Sequence, residues 1–420
     1  MFPRFTEDQL AIRDAAREFA LHEIEPGAMA RDHASEFPAA IIKQLGEMGF
    51  MGMSIPETYG GAGVDYLSYI LALEEIARVD ASVAVTMSVN NSVACAPILE
   101  FGTEAQKQKY LKPLASGQVI GGFMLTEPNA GSDVAALKTR ATKVEGGWHL
   151  NGSKAWITNG TVGKYFVIMV ITHPERGKKG ISAFVLDADQ PGVIMAKPEE
   201  KMGLRSSKTV MVALEDAFVA DSDLLGEYGD GLKVAFNGLD GGRIGIAAQA
   251  LGIAQRALDE SIAYAKTRFT FGKPIGEHQA IETYLAEMEA RVQASRLLVY
   301  RAASMKNEGL TCTLEAATAK LLRPKAPSGS ATGPCRSSAA TATAANMWSS
   351  AFTVMSALPP STKAPRRSSA SSWRGNSSSS LPSARLALDS LFSTVDEFFV
   401  ALFRRGRHSA GSRPPSSFPA

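Results

Sequence analysis

The chain has 420 residues, a formal charge of +2 at pH 7, 45% hydrophobic and 20% charged residues. That length allows two or three domains with sizeable cores, and near-neutrality gives no electrostatic case for binding nucleic acid or a membrane surface. Cys95, Cys312 and Cys335 form no CxxC pair and have no histidine at ligand spacing. No metal site is therefore expected, and a reducing, cytoplasmic setting suits three scattered thiols.

The N-terminal run MFPRFTEDQLAIRDAAREFA predicts an amphipathic helix rather than a signal peptide, because acids come early and no apolar core segment follows. Thr6 and Gln9 form a capping-box pattern, with Ile12, Ala16, Phe19, Ala20 and Ile24 at helical spacing. Pro26 is expected to close this helix. A second helix is predicted over Ala39–Met48, then a glycine-rich loop, SIPETYGGAG. Leu67–Ala77, Ser88–Glu100 and Glu104–Leu111 complete a helical N-terminal block, 1–118. No stretch reaches the roughly 18 uninterrupted apolar residues that membrane insertion needs.

From 119 to 225 the period shortens, with β-rich runs at Lys164–Ile171, Ile181–Leu186 and Val210–Val219. A small antiparallel barrel or sandwich is expected. From 226 to 322 long helices return, over Leu232–Thr267, His278–Lys306 and from Leu314. The fold class is therefore α+β: an N-terminal helical domain, a middle antiparallel β-barrel domain and a C-terminal helical bundle. The pattern fails after Leu322. No aspartate or glutamate occurs between Glu315 and Asp389, and 323–420 is a separate, aberrant segment, expected to be disordered.

Three segments carry chemistry. In FMLTEPNAGSD, Phe123–Asp133, a strand enters a turn that exposes backbone N–H groups and the hydroxyls of Thr126 and Ser132. Such a loop can hold a flat heteroaromatic edge or a phosphate, and it also suits a plain polar turn. In WHLNGSKAWITNG, Trp148–Gly160, a tight turn is expected at Asn151-Gly152. Trp156 and Thr158 sit two apart and so share a face. They read either as a stacking wall beside a hydroxyl or as a tryptophan buried in a barrel core. In RFTFGKPIGEHQAI, Arg268–Ile281, a basic, aromatic loop joins two helices. The Arg268 guanidinium and backbone donors here can hold a pyrophosphate, or the loop can simply cap a helix, with His278 a structural histidine. On the preceding helix Arg243 stands among small residues, three positions after Asp240, either as a structural ion pair or as a ligand contact.

Taken together and in this order, TEPNAGSD, WITNG and RFTFGKPIGEHQAI closely resemble the acyl-CoA dehydrogenase family, over residues 1 to about 322. LDGGRIGIAAQALGIAQ is similar to its short-chain, butyryl-CoA-type members. The resemblance implies FAD, an acyl-CoA substrate, electron-transfer flavoprotein as acceptor and a homotetramer. It implies that Phe123, Leu125 and Thr126 line the flavin and that Trp156 and Thr158 lie beside its reactive face. Ser132 would contact flavin or CoA, Asp240 and Arg243 would lie at the substrate, and Arg268, Phe271 and Gln279 would hold the FAD diphosphate and adenosine of a neighbouring subunit. The implied reaction is α,β-dehydrogenation of a short- or branched-chain acyl thioester to the trans-2-enoyl thioester. An acyl-CoA oxidase fits less well, because oxidases of this kind are much longer.

The reaction needs a carboxylate base, and neither family position supplies one. The position before the helix arginine is Gly242, and the C-terminal YEGTSxxQR motif is absent. Shifted codons restore it. Triplets begun at the third base of each codon can turn Trp348–Met355 into VERIYRD and Pro360–Arg374 into IYEGTSEVQRIVMA. A single frameshift near Leu322–Arg323 is the expectation, with the glutamate codon straddling Thr362 and Lys363. The alternative is a catalytically dead remnant that binds flavin or acyl-CoA without the base.

Overall fold

The structure, a computed structural model, describes residues 4–322. Eight helical segments open the chain: α1 Glu7–Phe19, α2 Ala28–Ala34, α3 Ala39–Glu47, α4 Tyr66–Val79, α5 Ala81–Val89, α6 Ala96–Phe101, α7 Glu104–Gln106 and α8 Lys112–Ala115. The predicted capping box starts α1: Gln9 N–H donates to Thr6 Oγ1 (3.2 Å) and Thr6 N–H to Gln9 Oε1 (3.0 Å). α2 escaped the sequence reading, since none of its residues is buried. A π-turn, Asn90–Cys95, joins α5 to α6. Ala81–Phe101 is long and apolar enough to pass for a membrane span, yet 78% of its most apolar window is buried inside the protein. It serves here as a core helix.

Eight strands follow: β1 Gly121–Met124, β2 Arg140–Val144, β3 Gly147–Thr158, β4 Tyr165–Ile171, β5 Ile181–Asp187, β6 Val193–Met195, β7 Thr209–Ala220 and β8 Leu224–Leu225. The expected antiparallel barrel needs correction. The strand order is β6-β7-β3-β2-β4-β5-β8, with β1 beside β4, and among the described residues the two end strands do not pair. β1 and β2 also run parallel to β4. The reason lies in YFVIMVI, whose central residues are apolar without alternation. Phe166, Ile168 and Val170 face the core of the sheet domain, while Val167 and Met169 face a second core with Leu111, Leu114 and Val234. A strand covered on both faces sits inside a layered structure and accepts parallel neighbours.

The chain ends its described part with α9 Gly231–Thr267, a short hairpin of β9 Phe269–Thr270 and β10 Lys273–Pro274, α10 Gln279–Asn307 and α11 Thr313–Leu321. The two helical blocks are not separate cores. Leu73, Ile76 and Met87 from the first pack with Ile244, Leu251, Val299 and Ala316 from the second. Close approach is built in at Gly252, where a Cβ would lie 2.3 Å from the Glu74 carbonyl oxygen.

Charges tie the same helices. Glu75 pairs with Arg17 of α1 (2.7 Å) and with Arg78 (3.0 Å), and Arg78 reaches Asp259 of α9 (2.7 Å). Glu74, buried, accepts from Arg296 (2.9 Å) and Tyr300 (2.8 Å) of α10. Burial pushes its carboxyl above the usual range, against the pull of Arg296 and Tyr300. Removing one partner of a buried ion pair leaves the other uncompensated. Glu74→Ala is therefore expected to destabilise the protein by about 3–5 kcal/mol in urea unfolding; a loss no larger than that of a surface substitution would contradict this account.

Candidate functional site

The first two predicted segments meet. β1 carries Phe123 opposite Val167, and the chain then leaves the sheet through Leu125 and Thr126. The Thr126 carbonyl accepts the Ala155 N–H at 2.8 Å, which places the TEPNAGSD turn directly against β3. Two buried asparagines hold the start of β1. Asn90 Oδ1 accepts Gly121 N–H (2.8 Å), and Asn159 Nδ2 donates to the Gly121 carbonyl (2.9 Å). Asn159 Oδ1 is buried without a hydrogen-bond partner among the described residues. Ser132 is exposed near the end of the turn.

β3 differs from the expected hairpin at Asn151-Gly152. It is one 12-residue strand, and its turn lies earlier, at Glu145-Gly146 between the paired Val144 and Gly147. Gly152 serves a different need: a Cβ there would lie 2.7 Å from Thr139 Oγ1. A bulge between Lys154 and Ile157, opposite Val212 and Val210 of β7, inserts one extra residue. Its effect decides the orientation of Trp156. Trp148, Leu150 and Lys154 share one parity and point inward; after the bulge Ile157 takes the inward face. Trp156, in a left-handed backbone (φ 60°), is turned out and is 59% exposed. The reading of Trp156 as a buried core residue is thereby excluded, and Trp156 and Thr158 flank the buried Ile157 on the outer side.

Behind this surface lies a pair that sequence reasoning passed over. Lys154 has no exposed surface and Glu127 is 6% exposed. The Lys154 ammonium donates to Glu127 Oε1 (2.8 Å), the Met169 carbonyl (2.7 Å) and the Leu125 carbonyl (3.3 Å). Glu127 also accepts from Thr139 Oγ1 (2.6 Å), Thr139 N–H (3.0 Å) and Lys138 N–H (2.5 Å). Burial pushes Lys154 down to about 8, and Glu127 only partly opposes this. At Glu127 burial acts upward, but Lys154, Thr139 and the Lys138 N–H outweigh it and leave the carboxyl below its usual range. The two shifts differ in kind because the carboxylate collects four donors, while the ammonium is met by one charge and two neutral carbonyls. The parity of Lys154 with Trp148 and Leu150 was the available signal.

The third segment stands apart. β9 and β10 pair around Phe271-Gly272, both at positive φ, so Phe271 projects with 97% of its surface exposed. His278 is structural, bonded through Nε2 to Thr270 Oγ1 (2.9 Å). Arg268 ends α9, and Gln279, exposed, begins α10. α9 has 37 residues, about 55 Å at 1.5 Å per residue. Its first residue, Gly231, abuts β5 at Ile181, so Arg268 lies at the end far from the sheet. Within one chain Arg268 and Trp156 are not brought together.

Asp240 and Arg243 form the anticipated ion pair on α9. The second carboxylate oxygen of Asp240 accepts Thr313 Oγ1 from α11 (2.7 Å), so both oxygens are engaged. A Cβ at Gly242 would face Val93 (3.4 Å) and Ser92 (3.8 Å), with ordinary contact distances. Lys363 lies outside the described residues, as do 323–420 as a whole and Cys335.

Family models match in three blocks: the acyl-CoA dehydrogenase N-terminal domain over 6–118, the middle domain over 122–217 and the C-terminal domain over 229–327. The chain belongs to the acyl-CoA dehydrogenase family. It is 48% identical over 315 residues to an acyl-CoA dehydrogenase of Bacillus subtilis, covering 75% of this chain and 83% of that one. It is 44% identical over 316 residues to the short-chain specific acyl-CoA dehydrogenase of Clostridium acetobutylicum, with the same coverage. Among solved structures, butyryl-CoA dehydrogenase of Megasphaera elsdenii superposes with a TM-score of 0.75 at 43% identity, covering 77% of this chain and 85% of that one. A chain from a structural study of the electron transferring flavoprotein of Acidaminococcus fermentans gives 0.76 at 46% identity, with the same coverage.

Stability linked to Glu127 has a defined sign. Its folded value lies below the ordinary 4.5, so the contribution is full above 4.5 and is lost as pH falls through the lower folded value. The stability gap between wild type and Glu127→Gln in urea unfolding should be wide at pH 7 and narrow as pH falls well below 4. A gap that does not change with pH would contradict the assignment.

Proposed function

We propose that this chain derives from an FAD-dependent acyl-CoA dehydrogenase acting on short- or branched-chain acyl thioesters, in a cytoplasmic setting. One observation carries the reading. An outward indole on a bulged strand stands beside the Thr126 turn, which is hydrogen-bonded to the neighbouring Ala155. A half-exposed tryptophan held in left-handed backbone has no packing reason to be there, and a flat ring seated on it supplies one. The residues thus fit a flavin: Phe123, Leu125 and Thr126 at one edge, Trp156 and Thr158 at its reactive face, and Ser132 toward flavin or CoA.

FAD, when bound, supplies the hydride acceptor for the β-hydrogen of the thioester. The protein's own part is to orient the thioester, exclude water and remove the α-proton. Arg243, with Asp240 already spent on Arg243 and Thr313, is the group left to meet substrate. Arg268, Phe271 and Gln279 fit the diphosphate and adenosine of FAD bound by a second copy, because α9 carries them far from their own Trp156. That distance supports a homo-oligomer, the resemblance implying a tetramer, and an electron-transfer flavoprotein is the proposed acceptor.

The base is the missing group. Gly242 offers none, and we assign the base to the glutamate whose codon is split between Thr362 and Lys363 by a frameshift near Leu322–Arg323. The alternative, a catalytically dead remnant, rests on one observation, the absence of a carboxylate at 242. Butyryl-CoA added anaerobically to the FAD-loaded, frame-restored protein should bleach the flavin, whereas the chain as given should not. Bleaching by the unaltered chain contradicts the remnant reading; a restored chain that binds FAD but is reduced by no short acyl-CoA contradicts the function. Resequencing the locus should reveal an insertion or deletion near codon 322, and an intact frame there sinks the frameshift.

A further inference from the structure

The pair Lys154–Glu127 is an expensive feature without an evident stabilising purpose. A buried ion pair is often matched or exceeded in stability by apolar residues of similar size. Its placement is specific, however. Glu127 follows Thr126 directly in the chain, and Lys154 precedes Trp156 by two positions. The ammonium joins the Leu125 carbonyl leaving β1, the Glu127 side chain in the turn and the Met169 carbonyl of β4, just past the Met124–Ile168 pair where the β1–β4 ladder ends. Thr139, at the entry to β2, anchors the carboxylate from the other side through its hydroxyl and N–H. Between these fixed points the Thr126 carbonyl takes the Ala155 N–H at the bulge.

We propose that Lys154 and Glu127 are positioning residues: a buried clamp that sets the distance and angle between the Thr126 turn and the outward Trp156, and so shapes the surface that receives the flavin ring. The proposal rests on the flavin reading above. Neither residue reaches the outer face. Both act through the backbone carbonyls and N–H groups that they hold, and a site held by locked inner partners keeps its geometry more closely than one left to loop conformation.

The test compares the full chain with the charge-free variant Lys154→Met/Glu127→Gln and with Thr139→Val, which keeps the ion pair but removes one donor. Hydrogen–deuterium exchange of the ligand-free proteins is measured first, then FAD affinity and the visible circular dichroism of the bound flavin. The clamp predicts faster exchange confined to 123–133 and 153–158, FAD binding weaker on the order of tenfold, the scale seen when outer partners of ligand-holding residues are removed, and an altered flavin dichroism. Thr139→Val should move each readout the same way by less. Variants with wild-type melting behaviour, unchanged exchange in those segments, and unchanged FAD affinity and dichroism overturn the proposal. Should the double variant fail to fold, Thr139→Val decides by the same readouts. A wild-type chain that binds no FAD contradicts the flavin reading itself, whereas a wild type that binds FAD beside indifferent variants contradicts the clamp alone.

Discussion

Lys154 brings an ammonium group into a sheet interior with no exposed surface, and the arrangement around it follows from satisfying that charge. Its three donors need three acceptors, and they find them on β1's exit, on the turn and on β4. This fixes where the Glu127 turn must lie, since a carboxylate is the one acceptor able to offset a buried cation. Once that turn is fixed, the Thr126 carbonyl stands opposite Ala155. The bulge after Lys154 then reverses the phase of β3 and delivers Trp156 to the outside. The buried lysine and the outward tryptophan thus stand at a single change of phase in β3.

A second level of organisation is helical. The N-terminal helices and α9–α11 share one apolar core, bridged by Glu74 to Arg296 and by Arg78, itself paired with Glu75, to Asp259. Long α9 reaches three places. At its start it abuts β5, in its middle it presents Arg243, and at its far end it opens into the exposed Phe271 hairpin. A helix about 55 Å long sets the Phe271 hairpin far from β5, and the proposed cofactor site therefore draws on a second copy.

Much of this was legible in the residues. Helical spacing located α3, α4, α9 and α10 to within a residue or two, and the capping signal the start of α1, whose helical run passes after Phe19 into a π-helical turn over Ala20–Ile24. The order of helices, strands, helices yielded the fold class. Turn chemistry misled at Asn151-Gly152, because a glycine at φ 148° and in close approach to Thr139 serves a continuous strand there rather than a turn. The middle sheet domain was read rightly, but barrel is a loose word for it: YFVIMVI, an unbroken apolar run, is covered on both faces, and the end strands do not pair among the described residues. The orientation of Trp156 stayed open because strand alternation is blind to a bulge. Glu127 and Lys154 went unremarked, since a charged residue within a motif reads as solvent-facing until its partner across 27 positions is known. The proposed base rests on the sequence alone, through codon phase beyond Leu322, outside the described residues.

The central claim is that the outer face of the β3 bulge receives the flavin of an acyl-CoA dehydrogenase while a second copy holds its diphosphate. Determining the structure of the full chain soaked with FAD tests this most directly. The account predicts the ring system against Trp156 and the Thr126 turn, with Arg268 and Gln279 from a second copy at the diphosphate. FAD seated away from Trp156, or held at its diphosphate only by residues of the same chain, would contradict it.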